Sequence, residues 1–441
     1  MNPTEVRPGI HWVGVNDRRL EQRGGAESCA AWVAKEGGAM RQVPDVMMLT
    51  PHGDPLGTIG APEIGGQCIY VRELSAHLAR LGLNVVAFTR DRGEGKPPVE
   101  SICSGAWVER VPVGPRRFVP KEEIGPFLSD FARVVSQRLG AHTVIHSHFW
   151  DGAAVAQQLA AGRTWVHASH SLGKRKYAQV TPEERARHAE RFEFEGRACQ
   201  RSTWLVASTA AEAEDLVHLY GAPRERIRVI APGVDTGRFA PPEDRERCKE
   251  EFGLAPGVPA VGTLGRLDPR KGFDLFMLCA ERLLRRGLDV QFLLSTGTGS
   301  DASEVEARRR LERLWNDLGL RDRLRWVDIV PQERLPRFYG ALDVFVLPSR
   351  YELFGIVMLE AMACGVPLVA TDNGGPAEVI RPGVDGLLVD VTDVDALADA
   401  VGAILKSPAA GREMGAAGRQ RVVTGYSWSA SAERHRQLYG L

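Results

Sequence analysis

The chain contains no run of about 18 consecutive apolar residues, so no segment is expected to cross a bilayer as a helix. Cysteine is scarce. Cys29, Cys68, Cys103, Cys199, Cys248, Cys279 and Cys364 are scattered through 441 residues, and none forms a CxxC pair. An odd, unpatterned set speaks against a disulfide framework and against a cysteine-type zinc site. Net charge is also missing. Lys+Arg and Asp+Glu both number 56, so no global field recruits nucleic acid or an acidic membrane. The first residues, MNPTEVRPGIHWVGVNDRRLEQ, lack the basic start and apolar core of a secretory signal. These absences lead to the expectation of a cytoplasmic protein in a reducing compartment.

What remains is ordinary globular composition, 44% hydrophobic and 25% charged, at a length that suits about two or three domains. Residues 1–45 have weak periodicity and are left as an unassigned extension, with a short strand expected at Ile10–Val15. From Val46 the texture becomes regular. VMMLT, NVVAFTR, HTVIHSH, RTWVHASH, TWLVAST and IRVIAPGV read as buried strands. Between the first two lies a helix whose Val71, Leu74, Leu78 and Leu81 form one apolar stripe. A stretch rich in Pro, Gly and charge around Val234–Pro242 marks a boundary. The alternation then restarts with AVGTLGRL, VQFLLST, LRWVDIV, DVFVLPS, VPLVAT and GLLVD, and Phe276, Cys279 and Leu283 mark a helix stripe. Strands alternating with helices imply α/β architecture with parallel sheets. The expected organisation is two doubly wound, Rossmann-like domains facing across a cleft, 46–233 and 234–425, with 426–441 as a closing helix. Ligands in such sheets sit beyond the carboxyl ends of the strands.

Five groups in those loops could carry chemistry. Gly65-Gly66-Gln67 opens the first helix, where free N–H groups and close backbone approach suit a phosphate or a sugar. The pair is neither GxGxxG nor GxxxxGK[ST], so a nicotinamide or P-loop site is poorly supported. Arg266 and Lys271 in GRLDPRKGFD could grip a diphosphate across an Asp-Pro turn, or belong to a solvated loop. Glu352 and Glu360 in RYELFGIVMLEAMACG could both face the cleft, and Glu360 has little reason to sit between Leu359 and Ala361 unless it meets polar partners such as sugar hydroxyls. His146 and His148 share one strand face, with His167 and His170 following, but no carboxylate-rich companions complete a metal site. Lys174, Arg175 and Lys176 follow a strand end, where a phosphorylated acceptor could dock, with Arg116, Arg117 and Arg191 as further candidates. Asp393-Val-Asp395 precedes an apolar helix and reads as a helix cap rather than a metal motif.

Taken together, HGDPLGTIGAPEIGGQCIYVREL, HSHFWDG, HSLGKRK, GRLDPRKG, ELFGIVMLEAMACG and NGGPAEVI resemble the retaining GT-B glycosyltransferases of glycosyltransferase family 4. The resemblance runs from about Val46 to the C-terminus. Within the family it is strongest to the sucrose synthase, sucrose-phosphate synthase and mannosylfructose-phosphate synthase group, on the GGQ…YVREL, HSLG and NGGP segments. Gln67 in place of methionine, with HSLG, argues against the inositol-phosphate glycosyltransferases of mycothiol synthesis. Leu353 stands where proline is common.

The resemblance implies a hexosyltransferase that takes a nucleoside diphosphate sugar, UDP-glucose in the first instance, and needs no metal or other cofactor. It implies Arg266 and Lys271 on the diphosphate and Glu360 on the ribose. Glu352 would contact the transferred sugar, beside the N–H groups of Leu353, Phe354 and Gly355. Gly65 and Gly66 would lie near the phosphates, and Val330, within Trp326–Pro331, beside the nucleobase. His148 would lie near the reacting bond. Gln67, Asp151, His170, Lys174, Lys176 and Arg191 would face a small acceptor such as fructose or fructose 6-phosphate. An inositol phosphate, a glycan or a lipid-linked acceptor stays open. So do a nucleotide-sugar hydrolase or epimerase and a non-catalytic binding protein. Attack from the front face, with the leaving phosphate taking the acceptor proton and a hinge near Val234, is the implied mechanism.

Overall fold

The structure is a computed structural model that describes residues 43–441, apart from residues 60, 179 and 298–301. The strand expected at Ile10–Val15 and Cys29 lie outside the described residues.

Two sheets form the framework. The first contains β1 (Val46–Leu49), β2 (Val85–Arg90), β3 (Val99–Cys103), β4 (Ala106–Val111), β5 (Val144–His148), β6 (Trp165–Ala168), β7 (Trp204–Ala207) and β8 (Ile227–Val229), in the order 3-4-2-1-5-6-7-8. The second contains β9 (Ala260–Gly265), β10 (Gln291–Thr296), β11 (Leu324–Val327), β12 (Val344–Leu347), β13 (Leu368–Thr371) and β14 (Leu387–Val389), in the order 11-10-9-12-13-14. The short apolar runs become strands because both faces of a parallel sheet are covered, and VMML, VFVL and LVAT are buried along their whole length. The first sheet departs from the expected all-parallel pairing. β3 runs antiparallel to β4 at the edge, with a register shift between Ser101 and Cys103. The two strands are consecutive and joined by only two residues, so the connection is a hairpin.

Strand order reverses beside β1 in the first sheet and beside β9 in the second. Such switch points open a crevice at the carboxyl ends of the flanking strands. The loops after β1, β5, β9 and β12 are therefore gathered at two rims, and these are the loops that carry the glycine pair, the histidines, the basic pair and the ELFG segment.

The chain passes between lobes at two adjacent points. The Val234 N–H donates to the Tyr426 carbonyl at 2.9 Å, and Val234 forms a bridge with Ser427. The final helix, Trp428–Tyr439, then packs on helix Gly66–Arg80, and Trp428, Ala432 and Tyr439 join Val71 and Leu74 in one apolar cluster. A third tie is polar. The N–H groups of Ala210 and Ala211 donate to the two carboxylate oxygens of Glu378 at 2.8 and 2.7 Å.

The helix stripe is shorter than its sequence spacing implies. Val71, Leu74 and Leu78 are fully buried, but Leu81 is the C-terminal cap residue and 42% exposed. A periodic pattern cannot reveal that the helix ends one residue early. Leu74→Ala should cost about 2–5 kcal/mol of stability through the cavity it leaves, and Leu81→Ala less than about 0.5 kcal/mol. Urea denaturation of the two variants distinguishes them, and equal losses would contradict the described packing.

Candidate active site

The rims of the two lobes meet around a cavity of about 530 Å³, whose lining includes Ile59, Arg72, Arg266, Ile329, Pro331 and Gln332. The glycine pair faces the second lobe directly. A Cβ on Gly65 would lie 3.4 Å from Cδ and Nε of Arg266, and one on Gly66 would meet Ile356 at 4.0 Å. The start of helix Gly66–Arg80 thus faces both the basic loop and the start of helix Ile356–Ala363.

Two glycines set the second lobe's rim. Gly272 has φ +67°, and a Cβ there would fall 1.9 Å from the Pro348 carbonyl oxygen. Gly374 has φ +62°, and its Cβ would fall 1.9 Å from the Glu352 carbonyl oxygen. No L side chain satisfies both the angle and the space. These contacts press the RKG and NGGP loops against the segment after β12. Lys271 Nζ consequently reaches Glu352 Oε2 at 2.5 Å, and Ser349 donates to the same oxygen at 3.1 Å. Leu353, Phe354 and Gly355 (φ +88°) lead into helix Ile356–Ala363. Arg266, Lys271, Glu352 and the helix start thus lie on one rim.

Glu360 lies deeper. It is 3% exposed, and its Oε2 accepts from the Tyr339 hydroxyl at 2.8 Å. Burial pushes its carboxyl up to about 7, against the pull of the Tyr339 hydrogen bond and of Arg238 and Arg72. Val330 is buried, its N–H turned to Ser295 Oγ at 3.3 Å, and its neighbours Ile329 and Pro331 line the cavity.

The first lobe corrects several expected contacts. His148 is fully buried, its ring between His170 and Met48, so it presents no surface to a sugar; His170, partly exposed at the strand end, stands in front of it. Asp151 is also fully buried. Its Oδ2 accepts from the N–H and Nδ1 of His52 at 2.9 and 2.8 Å, so it anchors the HGDP loop instead of meeting an acceptor. Lys174 points away from the cleft, with Nζ on the Leu219 carbonyl at 2.6 Å and over the Tyr220 ring. Gly173–Lys176 is a single helical turn, so its three cations diverge by about 100° each. Arg175 pairs with Asp215 and lies over the Tyr351 ring of the second lobe, while Lys176 turns towards the basic loop. Arg191 is buried, donating to Glu195 at 2.7 Å and to the Ser171 carbonyl at 2.7 Å beneath the Phe149 ring. Gln67 Nε2 donates to Thr50 at 3.0 Å. Arg116 pairs with Asp91 at the surface. Asp393 caps its helix by accepting from the Ala396 N–H at 3.0 Å.

Three residues at the cleft went unremarked in the sequence. Lys121 donates through both Nζ and its backbone N–H to Glu63 Oε1 at 3.0 Å. Glu63 itself adopts φ +62°, a strained angle for a non-glycine residue. Arg270 shares four hydrogen bonds with Asp268. Burial, together with Arg270, Lys121 and Arg191, pulls the Lys176 ammonium down to about 8. Cations from both lobes therefore converge on one gap. The Lys121-Glu122-Glu123 turn was the available signal, but one charged turn among many carries little weight.

The raised Glu360 carboxyl has a thermodynamic consequence. Between pH 4.5, its ordinary value, and about 7, the folded chain holds a proton that the unfolded chain has released. Glu360 therefore contributes a loss of stability as pH rises through that window. Glu360→Gln should remove this contribution, so its stability relative to wild type should increase from pH 5 to pH 8. Parallel urea melts at the two pH values measure this difference, and a constant difference would refute it.

Comparison with known proteins agrees with this fold. Residues 64–238 match the family described as Glycosyltransferase Family 4, and residues 244–421 match Glycosyl transferases group 1. A D-inositol 3-phosphate glycosyltransferase of Geodermatophilus obscurus is 37% identical over 404 residues, 88% of this chain and 87% of that protein. One from Catenulispora acidiphila is 33% identical over 92% of this chain and 97% of its own length. Among solved structures, sucrose-phosphate synthase from Thermosynechococcus elongatus superposes with a TM-score of 0.82 at 32% identity, covering 90% of this chain and 98% of that one. Anabaena HepE, solved with UDP and glucose, shares the fold at 18% identity and a TM-score of 0.72, over 90% of this chain and 99% of its own. The inositol-phosphate enzymes that Gln67 argued against thus stand beside the sucrose group as relatives of similar identity. The chain belongs to glycosyltransferase family 4 and is a glycosyltransferase of GT-B fold.

Proposed function

We propose that the protein transfers a hexosyl unit, with retention at the anomeric carbon, from a nucleoside diphosphate sugar to a small phosphorylated polyol or sugar. The observation that carries this reading is the meeting of cations from both lobes at one gap. Arg266, Arg270 and Lys271 come from the second lobe, and Lys121 and Lys176 from the first. A diphosphate on one side and a monophosphate on the other would neutralise them. Each charge-assisted contact is worth roughly 1.5–3 kcal/mol.

In this reading Arg266 and Lys271 stabilise the charge that develops on the departing diphosphate. Preorganised donors aimed at developing charge are usually the largest catalytic contribution. The Lys271–Glu352 pair opens on binding, freeing the ammonium for phosphate and the carboxylate for hydroxyls of the transferred sugar. Glu360 accepts from the ribose. The N–H groups of Leu353, Phe354 and Gly355 meet the phosphates at the start of helix Ile356–Ala363. The leaving phosphate takes the acceptor proton, so no side chain need act as a covalent nucleophile. Closure about the crossing near Val234 excludes water. UDP-glucose is the proposed donor. No resident metal is assigned, because Arg and Lys supply the neutralising charge. The relatives are named for D-inositol 3-phosphate and for sucrose phosphate, and the cationic gap suits the phosphate these names share; fructose 6-phosphate and inositol phosphate are the proposed acceptors.

A matrix of UDP-, ADP- and GDP-sugars against fructose, fructose 6-phosphate, glycerate and inositol phosphate, read by mass spectrometry, tests the reading. A glycoside of a phosphorylated acceptor is the expected product. Free sugar or an epimerised nucleotide sugar would point instead to hydrolysis or epimerisation. Lys271→Ala should raise the barrier by roughly 2–4 kcal/mol with native folding retained, and wild-type turnover would count against its role. Lys176→Ala should raise KM for phosphorylated acceptors about tenfold and leave the donor KM unchanged. An equal effect on both substrates would contradict its assignment to the acceptor.

A further inference from the structure

Beneath the first lobe's rim lies a row of imidazoles, and the order of its hydrogen bonds can be deduced. His148 Nε2 lies 3.3 Å from the Met48 sulfur, and His148 Nδ1 lies 2.9 Å from His170 Nε2. A thioether sulfur accepts but cannot donate. At 3.3 Å, a bare ring nitrogen would set one lone pair against another, so His148 carries its proton on Nε2. His148 is fully buried against the ring of His146, 4.2 Å away. Burial and the neighbouring histidines hold it neutral, well below its ordinary value. A neutral imidazole has one N–H, so His148 Nδ1 is bare and accepts. His170 Nε2 must then donate. His170 is neutral as well, pulled down to about 3 by burial, then by His167 and His52. Its remaining nitrogen, Nδ1, is therefore an acceptor.

Two further features show that this arrangement is built in. His170 has φ +54°, a left-handed angle that a non-glycine residue rarely adopts. The turn carries its ring back from the end of β6 onto His148, and the residue remains partly exposed at the rim. The edge of Tyr70 packs against this pair, with ring centroids 4.9 Å from His170 and 5.9 Å from His148. Tyr70 is itself fixed from behind. The Ser431 carbonyl, 2.7 Å from His435 Nδ1, can only accept, so His435 Nε2 is bare and accepts a hydrogen bond from the Tyr70 hydroxyl at 2.9 Å. The final helix thus holds Tyr70, and Tyr70 steadies the imidazole pair.

We propose that Met48 and His148 are positioning residues that lock His170 as the Nε2–H tautomer, so that His170 offers the cleft a hydrogen-bond acceptor specific for a substrate hydroxyl. The proposal rests on the transferase reading for the identity of the substrate, but the lock itself is a property of the free protein. It gives Met48, a buried strand residue, a role beyond packing.

Selective ¹⁵N-histidine labelling, with signals assigned through His170→Gln, reads the tautomer without substrate. Wild type should show His170 protonated at Nε2 and bare at Nδ1. Met48→Leu removes the acceptor and should populate both tautomers, lowering kcat/KM several-fold. His148→Leu should lower it about tenfold, the weight of one neutral hydrogen bond. His148→Asn, whose amide oxygen can stand where Nδ1 stood, should restore most of it. A wild-type His170 protonated at Nδ1 would overturn the proposal, even if the leucine variants fail to fold. So would folded leucine variants with unchanged tautomer and unchanged kcat/KM. The expected tautomer in a protein that transfers no sugar would support the lock and count against the transferase reading instead.

Discussion

Crowding like charges around one gap is the constraint on which the rest of the molecule depends. Cations do not gather within reach of one another unless the fold forces them. Here Gly272 and Gly374 let two loops close on the segment after β12, and the first lobe brings Lys121 and Lys176 to the opposite side. Burial first, and then repulsion from Arg270, Lys121 and Arg191, depresses the Lys176 ammonium. Part of the repulsion is relieved internally. Glu352 holds Lys271, Asp268 holds Arg270, and Glu63 holds Lys121. The gap is thus kept charged but quiet.

Opposed to the charge is a layer of fully buried polar groups. His146, His148, His167 and His435 lie behind the first rim, and Glu360 lies behind the second. Such groups are costly to bury without partners. Most have one. Tyr439 meets His146, Ser147 meets His167, Tyr70 meets His435, and Tyr339 meets Glu360. The neutral imidazoles and the raised carboxyl share one cause, burial, which acts in opposite directions on bases and acids. The first rim can therefore be strongly charged while the imidazoles beneath it stay uncharged near neutral pH.

Much of this was legible in the sequence. All twelve runs read as strands from Val46 onward became strands, the central ones because a covered parallel sheet demands unbroken hydrophobicity. The hairpin of β3 and β4 was not read. Its VESIC strand is only half buried and has no such run. The rim loops were found through their glycines and charges, since the chemistry of a turn is local. The direction in which each side chain points was less accessible. Lys174 and Lys176 are two residues apart, yet one helical turn sends them to different neighbours. His148 was expected nearest the reacting bond, but His170 stands in front of it, an order that depends on a backbone angle histidine seldom adopts. Lys121 is tied to the cleft by Glu63, which is 58 residues away in sequence.

The paired crossing at Val234 and Ser427 bears on how the gap opens. Two covalent strands running side by side form a pivot more than a tether. The lobes can swing about it, but they can neither slide past one another nor drift apart. The Glu378 carboxylate, holding two N–H groups of the opposite lobe, then acts as the far clasp of a book whose spine is the double strand. Parting the covers thus costs the two hydrogen bonds of the clasp and leaves the spine intact.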